Sequence, residues 1–398
     1  MANETLSDEV REAIAEDVLA RFLRYVQVFT TSDETSTTIP STENQLVLLG
    51  LLAEEGRALG LEVIEDADRG FTMMTLPARE GVTVEPFALY AHVDTSPEQP
   101  GDGVRPVCHV DYAGRPIVFE DDPALSLTAA DSPELTTLHG ETIITASGLT
   151  LLGADDKAGV AEIMVALAMF RRFEELPHGP IVACFTTDEE IGRGTEGLDL
   201  TRLPHYGYTI DGGAPGELED ECFDAWRVDI AVTGVGVHPG TAKDRMVHAG
   251  MIVARLLACL PEEESPERTE GREGFFYLTE STGTVEHATA ALIVRDFDGA
   301  KNQERIARVR ALATEFEGRF PGAKIEVSAA EQYRNMKTIL ADHPHVVELA
   351  DAAIRDVGLT PLRHPIRGGT DGSLLTVAGH PTPNIFAGGM LAHSRKEW

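Results

Sequence analysis

The sequence has few of the residues that mark secreted, membrane-spanning or zinc-finger proteins. Its four cysteines, Cys108, Cys184, Cys222 and Cys259, are far apart and form no CxxC pair, which argues against a zinc ribbon and a disulfide framework. No apolar run approaches the ~20 residues that a membrane-spanning helix needs. The acidic, amphipathic N-terminal segment lacks the basic and apolar regions of a signal peptide. We therefore expect a soluble, cytoplasmic protein that does not bind membranes.

Positive charge is also scarce. Lys+Arg 33 against Asp+Glu 66 leaves a formal charge of 33 − 66 = −33, and such a field repels nucleic acid and favours cationic partners. Hydrophobic residues at 42% and charged residues at 25% are in the range of ordinary globular proteins, which excludes a disordered chain. The length of 398 residues predicts two domains.

Strands alternate with helices in the first half of the chain, and this pattern indicates an α/β fold. A stretch rich in Pro, Gly and Asp over 97–145 is typical of a long segment that borders an active site. We predict helices over 7–25, 43–59 and 158–173, the second of them capped by Pro40-Ser41-Thr42. We also predict a hairpin of 62–65 with 71–76 and buried strands over 87–91, 181–185 and 208–210.

The pattern changes from about Cys222 to Arg334. Strands over 227–233, 274–279, 291–296 and 325–329 and helices over 247–260 and 302–319 give the order β-α-β-β-α-β of a small separate domain. A helix over 345–357 and a strand over 383–387 follow. We predict a first domain built from 1–222 and 335–398, with a second domain over 223–334 inserted into it.

Acidic and imidazole side chains follow the carboxyl ends of the apolar strands, where open α/β sheets place their ligand sites. Taken singly, each has a plain structural explanation: a second His-x-Asp at His109–Asp111 shows how easily that tripeptide arises, Asp155 suits a helix N-cap, and the carboxylates at 188–190 suit a solvated turn. Taken together, two imidazoles and three carboxylates suit two zinc ions with one bridging carboxylate. The five are His92, Asp155, Glu190, Asp211 and His393.

Longer runs of the sequence resemble the cocatalytic dizinc exopeptidases. The matching runs occur in the same order over nearly the whole chain: AHVDTSP, TLLGADDKAGVAEIM, FTTDEEIGRG, DGGAPGELE, VHPGTAK, ESPERTEG, GTVE, IVRDFD and PIRGGTDG. The resemblance implies a mixed-sheet catalytic domain with an inserted ferredoxin-like (βαββαβ) lid domain. It also implies a homodimer that forms through the lid.

The resemblance implies a role for each metal-site residue. His92 and Asp211 hold one zinc ion, Glu190 and His393 hold the other, and Asp155 bridges the two ions. Asp94 orients His92, and Glu189 takes a proton from the attacking water and carries it to the leaving amine. Manganese or cobalt can replace zinc at such sites.

Three further residues are implied to contact the substrate: His238 near the reacting carbonyl oxygen, Arg367 near the C-terminal carboxylate, and Arg295. For His238 a turn-capping role is the alternative, and for Arg295 an ion pair with Asp296 or Asp298.

The implied function is removal of the N-terminal residue from tripeptides by an aminopeptidase. The same dimetal chemistry also serves dipeptidases, carboxypeptidases and N-acyl amino acid deacylases. A catalytically silent dimeric binding protein is a further alternative, against which the presence of Glu189 argues.

The sequence departs from the family after the last predicted strand. Met390, Leu391 and Ala392 stand where aromatic residues usually precede the ligand histidine, and Lys396 stands in place of a second histidine. Paired asparagines are missing before His238. The family also continues through a C-terminal helix, so the end at Trp398 predicts either a truncated sequence or an uncovered edge of the catalytic domain.

Overall fold

The computed structural model describes residues 6–398 and divides into two compact units. The first unit comprises the chain up to Asp220, Ile339–His364 and Thr370–Trp398, and the second comprises Glu221–Thr338 and Pro365–Gly369. The expected boundaries, 1–222, 223–334 and 335–398, differ by a few residues and assign 365–369 to the first domain. This segment joins the second unit because the Ile366 N–H donates to the Glu221 carbonyl and Arg367 donates to carbonyls near Gly271.

The first unit is built on a mixed seven-stranded sheet, within the described residues, with the order β1-β2-β8-β3-β9-β15-β10. Four central strands are parallel to one another: β8, β3, β9 and β15. The pairings of β1 with β2, β2 with β8 and β15 with β10 are antiparallel. The strands are β1 (Glu62–Asp66), β2 (Phe71–Leu76), β3 (Phe87–His92), β8 (Ile181–Thr186), β9 (Gly207–Gly212), β10 (Leu218–Glu219) and β15 (Asn384–Phe386).

Apolar residues of the parallel strands and of helix α3 form the main core of this unit. All six residues of β8 are buried, as expected for a strand covered on both faces. The helices of the unit are α1 (Asp8–Tyr25), α2 (Gln45–Ala58), α3 (Ala154–Arg172), α6 (Lys337–Leu340, which crosses the unit boundary), α7 (Pro344–Asp356) and α8 (Asp371–Val377). No helix within residues 6–398 is long and apolar enough to cross a membrane.

The second unit has its own sheet and core. Its described strands form a four-stranded antiparallel sheet in the order β12-β13-β11-β14, and two helices pack on it. The elements are β11 (Asp224–Thr233), α4 (Ala249–Leu257), β12 (Phe275–Gly283), β13 (His287–Asp296), α5 (Gly299–Arg319) and β14 (Lys324–Tyr333). The predicted order β-α-β-β-α-β is confirmed.

Most elements of the first unit also match the prediction, including the β1–β2 hairpin. Three details differ. Helix α2 begins at Gln45 rather than Glu43, and Ser41 caps nothing there because its hydroxyl donates to Asp188. The stretch 97–145 contains the short strands β4 (Val107–His109), β5 (Ile117–Val118), β6 (Ser126–Leu127) and β7 (Ile143–Thr145). Helices α6 and α8 and strand β10 were not predicted.

Candidate dimetal active site

His92 lies at the carboxyl end of β3 and is almost completely buried. Its Nδ1 is 3.1 Å from the main-chain oxygen of Asp94 and 3.3 Å from Asp94 Oδ1. The other ring nitrogen, Nε2, is 3.0 Å from Asp155 Oδ1 and 3.6 Å from Asp211 Oδ1. Asp94 therefore fixes the orientation of the ring, and Nε2 is left facing the two carboxylates.

Asp155 lies between the two histidines. It follows Gly153 at the start of α3, and its backbone angles are not helical. While Oδ1 faces His92, Oδ2 is 3.4 Å from Nε2 of His393. A carboxylate that presents one oxygen to each side has the geometry of a bridging ligand.

Glu189 and Glu190 lie in the loop after β8, in a short 3₁₀ helix (Glu189–Ile191). Both main-chain N–H groups donate to the buried carboxylate of Asp94, at 3.1 and 3.2 Å. Glu190 Oε2 is 2.7 Å from Nε2 of His393. His393 itself follows β15 in a loop, where its φ of 59° is in the left-handed region.

The described residues contain two groups whose ligand atoms lie within 4.8 Å of one another: His92, Asp155 and Asp211, and Asp155, Glu190 and His393. Asp155 belongs to both. Two imidazole nitrogens and three carboxylates at this spacing fit a pair of divalent cations with tetrahedral or slightly expanded coordination. His109 belongs to neither group, and its Nε2 lies 3.0 Å from the hydroxyl of Thr145 instead.

The electrostatics of the site fit the same interpretation. Burial raises the pKa of Asp211 to about 6 and that of Glu190 to about 7, and the nearby Asp155 carboxylate adds to both shifts. Burial also raises the pKa of Glu189 well above its ordinary value. So many buried carboxylates repel one another, and divalent cations relieve that repulsion.

Three buried carboxylates around the site were given no role of their own in the sequence analysis. Asp188, at a φ of 63°, accepts hydrogen bonds from Ser41 and Gln45 and so holds the loop of Glu189 against the start of α2. Asp371 accepts a hydrogen bond from Thr186 at the end of β8. Glu397 accepts main-chain hydrogen bonds from the segment that carries Asp155. Asp188 and Asp371 lie inside sequence runs that resemble the family, FTTDEEIGRG and PIRGGTDG, and could have been found there. Glu397 lies outside every such run.

A cavity of about 250 Å³ opens beside Asp155 and Asp211. Met390, Leu391 and Ala392, where the sequence departs from the family, contribute to its wall. Leu391 also packs against an apolar cluster that includes Tyr112 and Phe119.

The three residues implied to bind substrate all belong to the second unit. His238 is exposed, and its Nδ1 accepts a hydrogen bond from the Gly240 N–H, so it caps a turn. Arg367 donates to the carbonyls of Gly271, Glu273 and Thr269.

The guanidinium of Arg295 lies 5.4 Å from the centre of the Tyr333 ring. Its Nε has no hydrogen-bond partner among the described residues. The expected alternative, an ion pair with Asp296 or Asp298, is not formed: Asp296 pairs with Arg305, and Asp298 caps α5.

A model of peptidase family M20/M25/M40 matches residues 152–398. The chain belongs to this family. It is 42% identical over 383 residues to Peptidase T of Geobacillus sp. (strain WCH70), a match that covers 96% of this chain and 93% of the relative. Metallopeptidase family membership thus agrees with the paired ligand groups around Asp155.

Two solved peptidase structures resemble the protein over nearly its full length. The structure of aminopeptidase PepT from Bacillus cereus ATCC 10987 has a TM-score of 0.71 at 26% identity, covering 96% of this chain and 92% of that one. A tripeptidase from Staphylococcus aureus subsp. aureus Mu50 has a TM-score of 0.74 at 23% identity and the same coverage, which shows a shared fold. The expected mixed-sheet α/β fold is confirmed.

Proposed function

We propose that this M20 peptidase is a tripeptide aminopeptidase, which removes the N-terminal residue from free tripeptides. The observation that carries the proposal is the pair of ligand groups sharing Asp155, with Glu189 next to the ligand Glu190. Relatives of similar length named Peptidase T support the substrate class.

Two zinc ions are proposed to occupy the site. His92 and Asp211 would hold one ion, Glu190 and His393 the other, and Asp155 both; manganese or cobalt would suit the same donors. When bound, such ions polarise a peptide carbonyl and lower the pKa of a water molecule towards ~7.

Glu189 is proposed as the proton shuttle. Its main-chain N–H is fixed by Asp94, so the side chain starts from a rigid backbone. It accepts a proton from the attacking water and donates it to the leaving amine, a role that suits a carboxylate whose pKa is raised by burial. Asp94 is the orienting residue, because it contacts both His92 and the loop of Glu189.

The substrate contacts, the oligomeric state and the location of the protein are proposed from the resemblance. His238, Arg295 and Arg367 are proposed to contact the substrate, and homodimerisation is proposed to occur through the inserted lid domain. Arg367 also donates to the carbonyls of Gly271 and Glu273 in its own unit. The protein is proposed to act in the cytoplasm.

A substrate panel tests the proposal. Purified protein is stripped with a chelator, restored with zinc and given free tripeptides, dipeptides, tetrapeptides and N-acetylated tripeptides. We expect zinc-dependent release of the first residue from free tripeptides only, because an aminopeptidase requires the free amine. Turnover of the dipeptides or the N-acetylated tripeptides would instead identify a dipeptidase or a deacylase. Zinc binding without turnover would favour a silent binding protein.

A further inference from the structure

Glu397 makes an unusual set of contacts close to the candidate metal site. The residue is about 1% exposed. One carboxylate oxygen accepts hydrogen bonds from the main-chain N–H groups of Leu152 and Gly153, at 2.7 and 2.8 Å. The other accepts from the N–H of Asp155, at 3.1 Å. One buried side chain thus accepts from three of the four main-chain N–H groups in the segment that ends at the shared ligand.

The side chains of Leu152 and Ala154 are buried in the core, but the backbone of Leu152–Asp155 departs from regular helical geometry. Gly153 has a φ of +81°, and Asp155 and Asp156 have non-helical angles although they lie at the start of α3. N–H groups at a helix start have no partner within the helix, and buried ones must find another acceptor. Because the two oxygens of Asp155 face different ligand groups, a small rotation of its backbone disturbs both groups together.

Glu397 also lies on the same short segment as His393. The ends of that segment are tied by two main-chain hydrogen bonds between Met390 and Trp398, at 2.9 and 3.1 Å, and the Glu397 N–H donates to Ser394. The bonds of Glu397 to the Asp155 segment therefore connect the loop of one ligand to the loop of another. His393 Nε2 and Asp155 Oδ2, which the two connected loops carry, are 3.4 Å apart.

We propose that Glu397 is a positioning residue of the metal centre, which holds the backbone of Asp155 at a fixed place relative to His393. It contacts neither substrate nor metal in this role and acts through the two ligands. The kinetic part of its test rests on the proposed aminopeptidase function, whereas the metal-binding part does not.

Metal affinity is the decisive readout. Both metal equivalents are titrated against a chromophoric zinc chelator in wild-type protein, Glu397→Ala and Glu397→Gln. Positioning residues behind metal ligands typically change affinity by 10–100-fold, and we expect a loss of that size for Glu397→Ala. Glu397→Gln keeps one acceptor oxygen and turns its amide towards the remaining N–H, so we expect a smaller loss. With a tripeptide substrate, kcat should fall about tenfold or more for Glu397→Ala, and KM should stay within about threefold.

Two control variants separate positioning from general stability. Glu162→Gln makes the same chemical change about two turns further along α3. The N–H groups of Leu152, Gly153 and Asp155 donate to Glu397 and not to Glu162, so this variant should keep both metal equivalents at wild-type affinity. Leu167→Ala removes buried core volume of the same helix and should lower the unfolding temperature without a change in zinc affinity. If Glu397→Ala does not fold, Glu397→Gln carries the test.

The proposal is overturned if the folded Glu397 variants bind both metal equivalents with wild-type affinity. It is also overturned if their loss of affinity is matched by Leu167→Ala at an equal drop in unfolding temperature. Should wild-type protein bind zinc but cleave no tripeptide, the proposed function fails while the affinity comparison still decides the role of Glu397.

Discussion

At the scale of single residues, the site depends on neighbouring carboxylates that do different work. Glu190 faces His393 and belongs to a ligand group, whereas Glu189 belongs to neither group although its backbone is held by the same Asp94. Adjacent residues that point in different directions allow one to hold a cation and the other to move a proton. The division of roles can be tested by a change of charge that preserves shape.

Glu189→Gln should separate catalysis from metal binding. The variant keeps the side-chain volume but removes the proton acceptor, so we expect kcat to fall about 10²–10⁴-fold. Zinc content, measured by atomic emission after dialysis, should stay at the wild-type value. An equal loss of zinc and turnover would show that Glu189 is a ligand rather than the shuttle.

Glu162 gives a prediction for the pH dependence of stability. Burial in α3 raises the pKa of its carboxyl to about 8, so between its unfolded value near 4.5 and pH 8 the folded state binds more protons than the unfolded state. The group therefore lowers stability as pH rises through that window. Glu162→Gln should be more stable than wild type by about 1–3 kcal/mol at pH 9 and indistinguishable near pH 4. Urea unfolding at the two pH values measures this, and an equal difference at both would contradict it.

At the scale of elements, the sheet assembles the site from distant parts of the sequence. The parallel strands β3, β8, β9 and β15 end at the same edge. Every candidate ligand except Asp155 lies in the last residues of one of these strands or in the loop that follows it. Helix α2 contributes a support: Gln45 donates from Nε2 to Asp188 at 2.6 Å and accepts from the Asp188 N–H at 3.0 Å. This link holds the loop of Glu189 and Glu190 against α2.

Gln45→Met should weaken the protein by breaking that link. The change preserves length and volume but leaves a buried carboxylate and a buried N–H short of partners, which we expect to cost about 2–3 kcal/mol. Gln27→Met is the control, because Gln27 lies on the surface and its bond to Leu23 is exposed; it should change stability by less than about 0.5 kcal/mol. Equal losses of stability for the two variants in urea unfolding would show that the Gln45–Asp188 pair has no such structural role.

The strands and helices were predictable where apolar runs were long, as in β8 and α3, and where turn residues separated them, as in the β1–β2 hairpin. Ligands at strand ends were predictable for the same reason, since a strand end fixes where a side chain lies. The short strands within 97–145 carry no periodic signal, because each has only two or three residues. The contacts of Asp188 and Glu397 connect residues more than a hundred positions apart, and no local pattern marks such pairs.

At the scale of the whole molecule, metal binding is expected to affect the two units differently. Both ligand groups found among residues 6–398 lie in the first unit, and the second unit has a separate apolar core around Val228 and Phe316. A ligand that binds only the folded state stabilises it by mass action. Zinc should therefore raise the free energy of unfolding of the first unit.

Stoichiometric titration of zinc into metal-free protein tests the central claim, a dimetal site that shares Asp155, most directly. Wild-type protein should bind two equivalents per chain, and tripeptide hydrolysis should return with them. Asp155→Ala should lose high affinity for both equivalents, since Asp155 belongs to both ligand groups, while Glu162→Gln should titrate as wild type does. Binding of a single equivalent by the wild type, or retention of both by Asp155→Ala, would contradict the account.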